Sequence, residues 1–211
     1  MFRDDDHLRA LLASLKNQSW PGTWVVVDGD DSDATQEVAL SGGARYVRSS
    51  PGRGYQIARG LHDAEPWVLI LHADSGVQLD MRRALQELMQ GEPCWGRFDV
   101  RIPGLSVVAK SMNLRSRVTK ICTGDQGMFF HQSLLSEFPN LPLMEDIELS
   151  RRLKKAHGKR FLPCKERIST SARRWQKEGV IRTILRMWLF RLRYFFGASA
   201  QQLYTEYYHR E

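Results

Sequence analysis

The chain opens on leucines at helical spacing. Leu8, Leu11, Leu12 and Leu15 share one face, with polar residues between them, which predicts an amphipathic helix. The period then changes. "TWVVVDG" is a short β-branched run that predicts a strand ending in Asp28. "DDSDATQEVAL" offers cap residues and starts a helix, and "ARYVRSS" predicts a second strand. "GRGYQIARGLHDA" reads as helical, and "WVLILHADS" as a third strand that runs into His72, Ala73 and Asp74. Asp80 can cap the next helix, whose apolar positions are Met81, Ala84, Leu85, Leu88 and Met89. Strands and helices alternating in this way predict an α/β class with a parallel sheet covered on both faces.

From Gly96 the pattern is different. "GRFDVRI" alternates like a strand with one wet face, and "DQGMFF" predicts another short strand. A helix is expected from about Glu145 to His157, with Gly158 as its stop. "KRFLP" predicts one more strand, and Val180 to about Phe196 a helix rich in arginine and aromatics. The expectation is a mostly parallel, doubly wound sheet with a mixed C-terminal part. A doubly wound unit normally begins with a strand, whereas this sequence begins with a helix. The usual first strand is therefore expected to be lacking, or its place in the sheet to be filled by something else. No internal repeat, low-complexity segment or clear linker interrupts the chain.

Composition narrows the picture. A chain of 211 residues with 42% hydrophobic content is expected to form one domain with a real core. Cys94, Cys122 and Cys164 are scattered and odd in number, which argues against a disulfide scaffold or a cysteine zinc site and for a reducing cytoplasm. The acidic start, "MFRDDDHLRA", lacks an apolar h-region, so no signal peptide is expected. No uncharged apolar run approaches the roughly 20 residues that a transmembrane helix needs. The net charge of +7 hides an asymmetry. Residues 1–150 hold 15 Lys and Arg against 20 Asp and Glu, a balance of −5, and residues 151–211 hold 16 against 4, a balance of +12. Such a block fits an anionic partner such as a pyrophosphate, a lipid headgroup or a nucleic acid; a solvated basic surface reads the same way.

Candidate chemistry gathers at strand ends, where open α/β sheets bind ligands. Asp28 could accept hydrogen bonds from a base or ribose, and Asp74 could ligate Mg²⁺ or Mn²⁺, since hard cations take carboxylates together with phosphate oxygens. Each alone could equally be a turn residue. In "PLMEDIELSRRL", Glu145 and Asp146 stand at a predicted helix start, where acids also complement the helix dipole; one of them could instead take a proton from an attacking hydroxyl. "TSARRWQKEG" could grip a pyrophosphate and stack a ring, or form a basic loop anchored by a buried tryptophan. Gly52, Arg53 and Gly54 could approach a phosphate without forming a P-loop. In the last predicted helix Arg182, Arg186 and Arg193 share a face, amid Ile181, Ile184, Leu185, Trp188, Leu192 and Phe195. That mixture suits a helix in an anionic membrane interface, and equally a helix packed on its own domain.

Together these stretches resemble the family 2 glycosyltransferases of GT-A fold. More closely, they are similar to the small bacterial subgroup of arsenosugar-biosynthesis-type glycosyltransferases. The resemblance spans nearly the whole chain. It implies a glycosyltransferase domain over residues 1–175, with a nucleotide-binding half to about residue 95 and an acceptor half beyond it, followed by a basic aromatic segment over 176–211. "VVVDGDDSDAT" matches the nucleotide-binding segment, implying that Asp28 contacts the base and Asp33 supports the site. "GRGYQIARG" points to Gly52, Arg53 and Gln56 near the donor. "LHADS" sits at the metal motif, making Asp74 the ligand with His72 as a neighbouring partner or auxiliary ligand. "MEDIEL" sits at the catalytic acidic motif, Glu145 and Asp146, with Asp146 as base. "SARRW" maps onto Arg174 and Trp175. His72 stands in place of the first metal-motif aspartate, Ala58 in place of a usual polar residue, and Ser171 in place of a glutamine.

The resemblance implies an inverting transfer from a nucleotide-diphosphate sugar, UDP- or GDP-linked, to an unknown acceptor, with Mg²⁺ or Mn²⁺ as cofactor. Asp125 and Gln126 in "CTGDQGMFF", with Trp175, are expected on the acceptor side. No nucleic acid is expected as partner, and the place of action is the cytoplasm, with the C-terminal helix meeting the inner membrane face or packing on the domain. A nucleotidyltransferase is a rival reading, but no Gly-rich phosphate loop with a lysine is present. A non-catalytic module binding an anionic lipid or phosphate is the other.

Overall fold

In the computed structural model, described for residues 4–208 apart from Asp31, Asp63 and the side chain of Arg174, α1 (Asp5–Asn17) buries the four predicted leucines. At about 1.5–3 kcal/mol for each fully buried side chain, this face fixes the helix to the sheet. β1 (Val25–Asp28), α2 (Asp33–Ser41), β2 (Arg45–Arg48), α3 (Arg53–Gly60), β3 (Trp67–Leu69) and α4 (Leu79–Met89) follow in the predicted alternation. Ser32 caps α2 by accepting from the Thr35 N–H.

The second half is β4 (Trp95–Arg101), α5 (Ser106–Thr119), β5 (Met128–His131), α6 (Glu145–His157), β6 (Phe161–Ser169), α7 (Arg173–Glu178), α8 (Val180–Phe195) and α9 (Ala200–Tyr208). α5 and α9 are absent from the sequence-based expectation, because neither shows a clear apolar stripe. α5 buries only Ala109 and Ser116.

The α/β expectation holds, but the strands form two sheets. β1 and β2 pair in parallel, with Val25 opposite Arg45 and Asp28 opposite Arg48. The other sheet has the order β3-β5-β4-β6, antiparallel at its first two pairings and parallel at the last. Among the described residues no strand lies between β1 and β3. They nonetheless occupy one layer. α1 lies with Val26, Leu69 and Leu71 in one cluster, while Ile57, Ala58 and Leu61 of α3 join Val68 and Ile70 in another. A Cβ on Gly60 would fall 2.8 Å from Val27, so α3 also presses on β1. Ladder bonds run from Ile70 N–H to the Met128 carbonyl and from Gln132 N–H to the Pro66 carbonyl. The N–H and C=O groups of Trp67, Leu69 and Leu71 therefore point the other way, toward β1. On β1 the matching outward carbonyl, Val27, accepts from the Gln56 side-chain amide at 2.9 Å.

β4 corrects another expectation. Its alternation implies a wet face, yet the strand is central and Arg97 is fully buried. The guanidinium contacts Asp99 and donates to the Asn113 carbonyl at 2.9 Å, and Arg117 donates to Asp99 at 2.6 Å. An ion network thus takes up most of the buried Arg97 guanidinium, while its Nε meets no acceptor. The C-terminal helices pack on the start of α6 through a separate cluster of Leu143, Met144, Phe190 and Leu203. Among the described residues no helix is long and apolar enough to cross a membrane.

Candidate active site

Asp146 stands at the start of α6, immediately after Met144 takes a left-handed conformation (φ 66) that turns the chain sharply into the helix. One carboxylate oxygen accepts from its neighbour Ile147 N–H at 2.7 Å and the other from Gly124 N–H at 3.1 Å. Two backbone donors from separate segments thus fix the carboxylate. Ser150 extends the tie: it donates to the Asp146 carbonyl and accepts from Cys122 N–H.

His72 closes the same space from the end of β3. Its N–H donates to the Ser75 hydroxyl at 3.1 Å, and Ser75 N–H donates to its carbonyl at 3.0 Å, forming the tight turn that carries Asp74. The imidazole lies against Gly124 so closely that a Cβ there would be 2.2 Å from Nε2. Burial holds the His72 pKa below its usual value, and the Arg53 charge adds to this, against Asp125, Asp74 and Asp146. His72 thus sits among three acids and one arginine, with its neutral form favoured by burial.

Arg53 opens α3 beside the acids. Burial works against its charge, but the neighbouring acids, Glu145 first and then Asp146, favour it, and its pKa is raised. Gly54 permits that approach, since a Cβ there would sit 2.1 Å from the Leu141 carbonyl oxygen and 3.0 Å from Glu145. Gly52 adopts φ 132, with Pro142 3.0 Å from where a Cβ would be, so only glycine fits the entry to α3. Glu145 is 2% exposed with one carboxyl oxygen unpartnered. Burial, with Asp146 adding and Arg53 opposing, pushes its pKa up to about 7. Glu145 therefore holds a proton more readily than an ordinary carboxyl group.

The other sequence-predicted residues divide. Asp74 and Asp125 lie within electrostatic reach of His72, with Asp146. Asp28 is buried and accepts from Asp30 N–H, Ser32 N–H and the Tyr46 hydroxyl, each at 3.1 Å, which commits it to organising the turn after β1. Asp33 is solvent-exposed at the start of α2, 3.4 Å from Arg48. Gln56 ties α3 to β1, as described. Gln126, expected on the acceptor side, is fully buried, donating to Ser116 and Asn113 and accepting from Thr123. Both ends of the amide are thus used inside the protein, so this structure gives Gln126 a structural role. Trp175 is half-buried in α7 and packs on the main core. Arg174 belongs to α7, and its side chain lies outside the described residues. Gly124 and Arg115 are the residues that sequence reading misses; a lone glycine and an arginine on an unpredicted helix carry no pattern signal.

Among the described residues no three His, Cys, Asp or Glu side chains converge as a metal cage. The donor set suits a divalent ion bound by Asp74, with the neutral His72 nearby, only if a ligand's phosphate oxygens supply most of the shell. Mg²⁺ and Mn²⁺ sites on diphosphates are commonly built that way.

No protein-family profile matches the chain, and no curated protein sequence matches it. Solved structures do. Glucosyl-3-phosphoglycerate synthase from Mycobacterium tuberculosis, in complex with Mn²⁺, UDP and glucosyl-3-phosphoglycerate, is similar at 17% identity and TM-score 0.60, over 81% of this chain and 68% of that one. Mannosyl-3-phosphoglycerate synthase from Rubrobacter xylanophilus is similar at 16% identity and TM-score 0.60, over 84% and 72%. A further mycobacterial protein is similar at 17% identity and TM-score 0.57, over 79% of this chain. This chain spans 61% of that protein's length. At such identities the likeness is one of fold, and the fold is GT-A, that of the nucleotide-diphospho-sugar transferases.

Proposed function

We propose that this chain is an inverting glycosyltransferase that uses a nucleoside-diphosphate sugar. The observation that carries the reading is the Asp146 carboxylate, fixed by the N–H groups of Gly124 and Ile147 where Asp74, Asp125, His72 and Arg53 converge. A base held so firmly suits one task, removing a proton from an acceptor hydroxyl. The acceptor oxygen then forms the bond to the anomeric carbon as the bond from that carbon to the diphosphate breaks on the opposite face. The nucleoside diphosphate leaves with the electron pair, and the hydroxyl proton rests on Asp146.

Glu145 beside it stays neutral over more of the pH range, so it supports Asp146 without competing as a second base. Asp74, with His72 as partner, would hold Mg²⁺ or Mn²⁺. The ion's chemistry there would be to offset charge on the diphosphate. Arg53 and Arg174 add positive charge on the donor side, and Trp175 and Asp125 border the acceptor. The neighbour's UDP and Mn²⁺ favour a UDP- or GDP-linked donor. Within the fold, the arsenosugar-type subgroup remains the sequence resemblance stated above.

The proposed place of action is the cytoplasm, at the inner membrane face, and the exposed surface of α8 supports that reading. Ile181, Leu185, Trp188, Leu192 and Phe195 recur along one side of the helix, and all are exposed. Phe190 and Thr183 face the protein on the other. The apolar stripe with arginines beside it suits an anionic bilayer surface.

Asp146→Asn tests the transfer reading. Donor binding, measured by calorimetry with UDP and Mn²⁺, should stay close to wild type, while turnover falls by about 10²–10⁴-fold. Full turnover by the variant would remove Asp146 as the base.

A further inference from the structure

Arg115 of α5 lies within electrostatic reach of Arg191 of α8 and of Asp146, and both arginines carry buried donors that meet no acceptor. Nε and Nη2 of Arg115, and Nε of Arg191, are shielded from water and meet no hydrogen-bond acceptor. Neither side chain forms an ion pair among the described residues. Other arginines have carboxylate partners: Arg97, although its Nε is likewise buried without an acceptor, and Arg117 pair with Asp99, Arg186 with Glu178, and Arg193 with Glu206. Burial, and then the Arg191 charge, lower the Arg115 pKa to about 10, with only partial relief from Asp146. Among the described residues no hydrogen bond joins Asp146 to either arginine; its carboxylate accepts from the Gly124 and Ile147 N–H groups.

Two like charges, partly desolvated and without a counter-ion, are unfavourable in the protein alone. Guanidinium forks match the oxygens of a phosphate or carboxylate, which would satisfy the free N–H donors and cancel the repulsion. The location adds meaning, because an anion held here lies next to the base and at the root of α8.

We infer that Arg115 and Arg191 form an anion subsite for the acceptor, which therefore carries a phosphate or carboxylate besides the hydroxyl that reacts. This rests on the transferase reading above for the word acceptor, and on the arginine pair alone for the anion. The group is either that of a soluble phosphate ester or the headgroup of a lipid reached along the exposed face of α8.

The test compares wild type with Arg115→Met and Arg191→Met in three titrations. These use glycerol 3-phosphate, vesicles of phosphatidylcholine with and without phosphatidic acid, and UDP with Mn²⁺. The expected result is that glycerol 3-phosphate or the phosphatidic acid vesicles bind wild type, and that each variant weakens this by roughly tenfold or more. UDP binding should be unchanged. Binding of the soluble ester identifies a soluble acceptor anion, and binding of the vesicles alone a lipid one. Each variant should also melt higher than wild type without anion, since an unpaired buried cation is gone; a merely structural arginine would leave the variant less stable. Arginine-dependent anion binding with no UDP binding would end the transferase reading and keep the subsite. Anion binding equal in wild type and variants, or absent from both probes, would overturn the subsite, whatever UDP does.

Discussion

The α-carbon of Gly124 faces the His72 imidazole so closely that a methyl group on it would fall 2.2 Å from Nε2, while its N–H donates to Asp146 at 3.1 Å. One glycine thus couples the ring behind the metal turn to the carboxylate read as the base. Gly124→Ala must displace either the ring or the segment that carries the N–H. Turnover should fall by about 100-fold, as expected for a loss of positioning near the reacting atoms. Circular dichroism should show the fold retained. Unchanged turnover would mean that this contact does not position Asp146.

Glu145 makes stability depend on pH in a direction opposite to most carboxylates. Its folded-state pKa, about 7, lies above the ordinary value of 4.5. Folding therefore takes up a proton between those values, and stability falls as pH rises from about 4.5 to 7. Glu145→Gln mimics the neutral form, so its melting curve should lose this slope. It should melt above wild type at pH 8, by an amount on the order of 2–3 kcal/mol at most. Melting scans from pH 5 to 8 decide it; parallel slopes in the two proteins would show that Glu145 ionises normally.

Gln126 sits in the core with its amide shared among Thr123, Asn113 and Ser116. Gln126→Ala should cost roughly 2–4 kcal/mol, from a cavity and from donors left unpaired. UDP affinity of the folded protein should not move. Denaturant unfolding reads this structural role, and an acceptor-side role would instead appear as lost turnover with stability unchanged.

The burial of Gln126 shows where sequence reading stops. Strands and helices with strong periodicity were legible, and the predicted helix Glu145–His157 has those bounds in the structure. Acids after strands and at helix starts were legible too, because their chemistry is visible in one dimension. Whether a polar residue faces a ligand or the core depends on partners distant in sequence. Gln126 meets Asn113 and Ser116 from α5, a helix with no readable stripe, and Asp28 meets Tyr46 from β2. Arg97 looked wet by alternation, since the buried Asp99 network that satisfies it cannot be seen from period alone.

The unpaired edge of β3 should be visible in hydrogen exchange. Val68 and Ile70 direct their amides to β5, whereas Trp67, Leu69 and Leu71 direct theirs toward β1, where no strand pairs with them among the described residues. Amides of the second set should exchange at least about tenfold faster than those of the first, an alternation along one strand. Uniform protection would mean that the edge is covered in solution.

The exposed stripe of α8 sets the last expectation. Trp188 and Phe195 are 68% and 74% exposed, so neither contributes much to the core. Replacing either by aspartate should leave stability within about 0.5 kcal/mol of wild type. On a bilayer the same change buries a charge at the interface and repels anionic headgroups, so flotation with vesicles rich in phosphatidylglycerol should be lost. Because Arg186 and Arg193 are held by Glu178 and Glu206, the electrostatic share falls to residues such as Arg182 and Lys177, each worth about 1 kcal/mol near an anionic surface. High salt should therefore weaken wild-type flotation without abolishing it, since the apolar stripe is not screened. If both aspartate variants float as wild type does, α8 does not make the contact; if salt alone releases wild type completely, the aromatic stripe does not enter the bilayer.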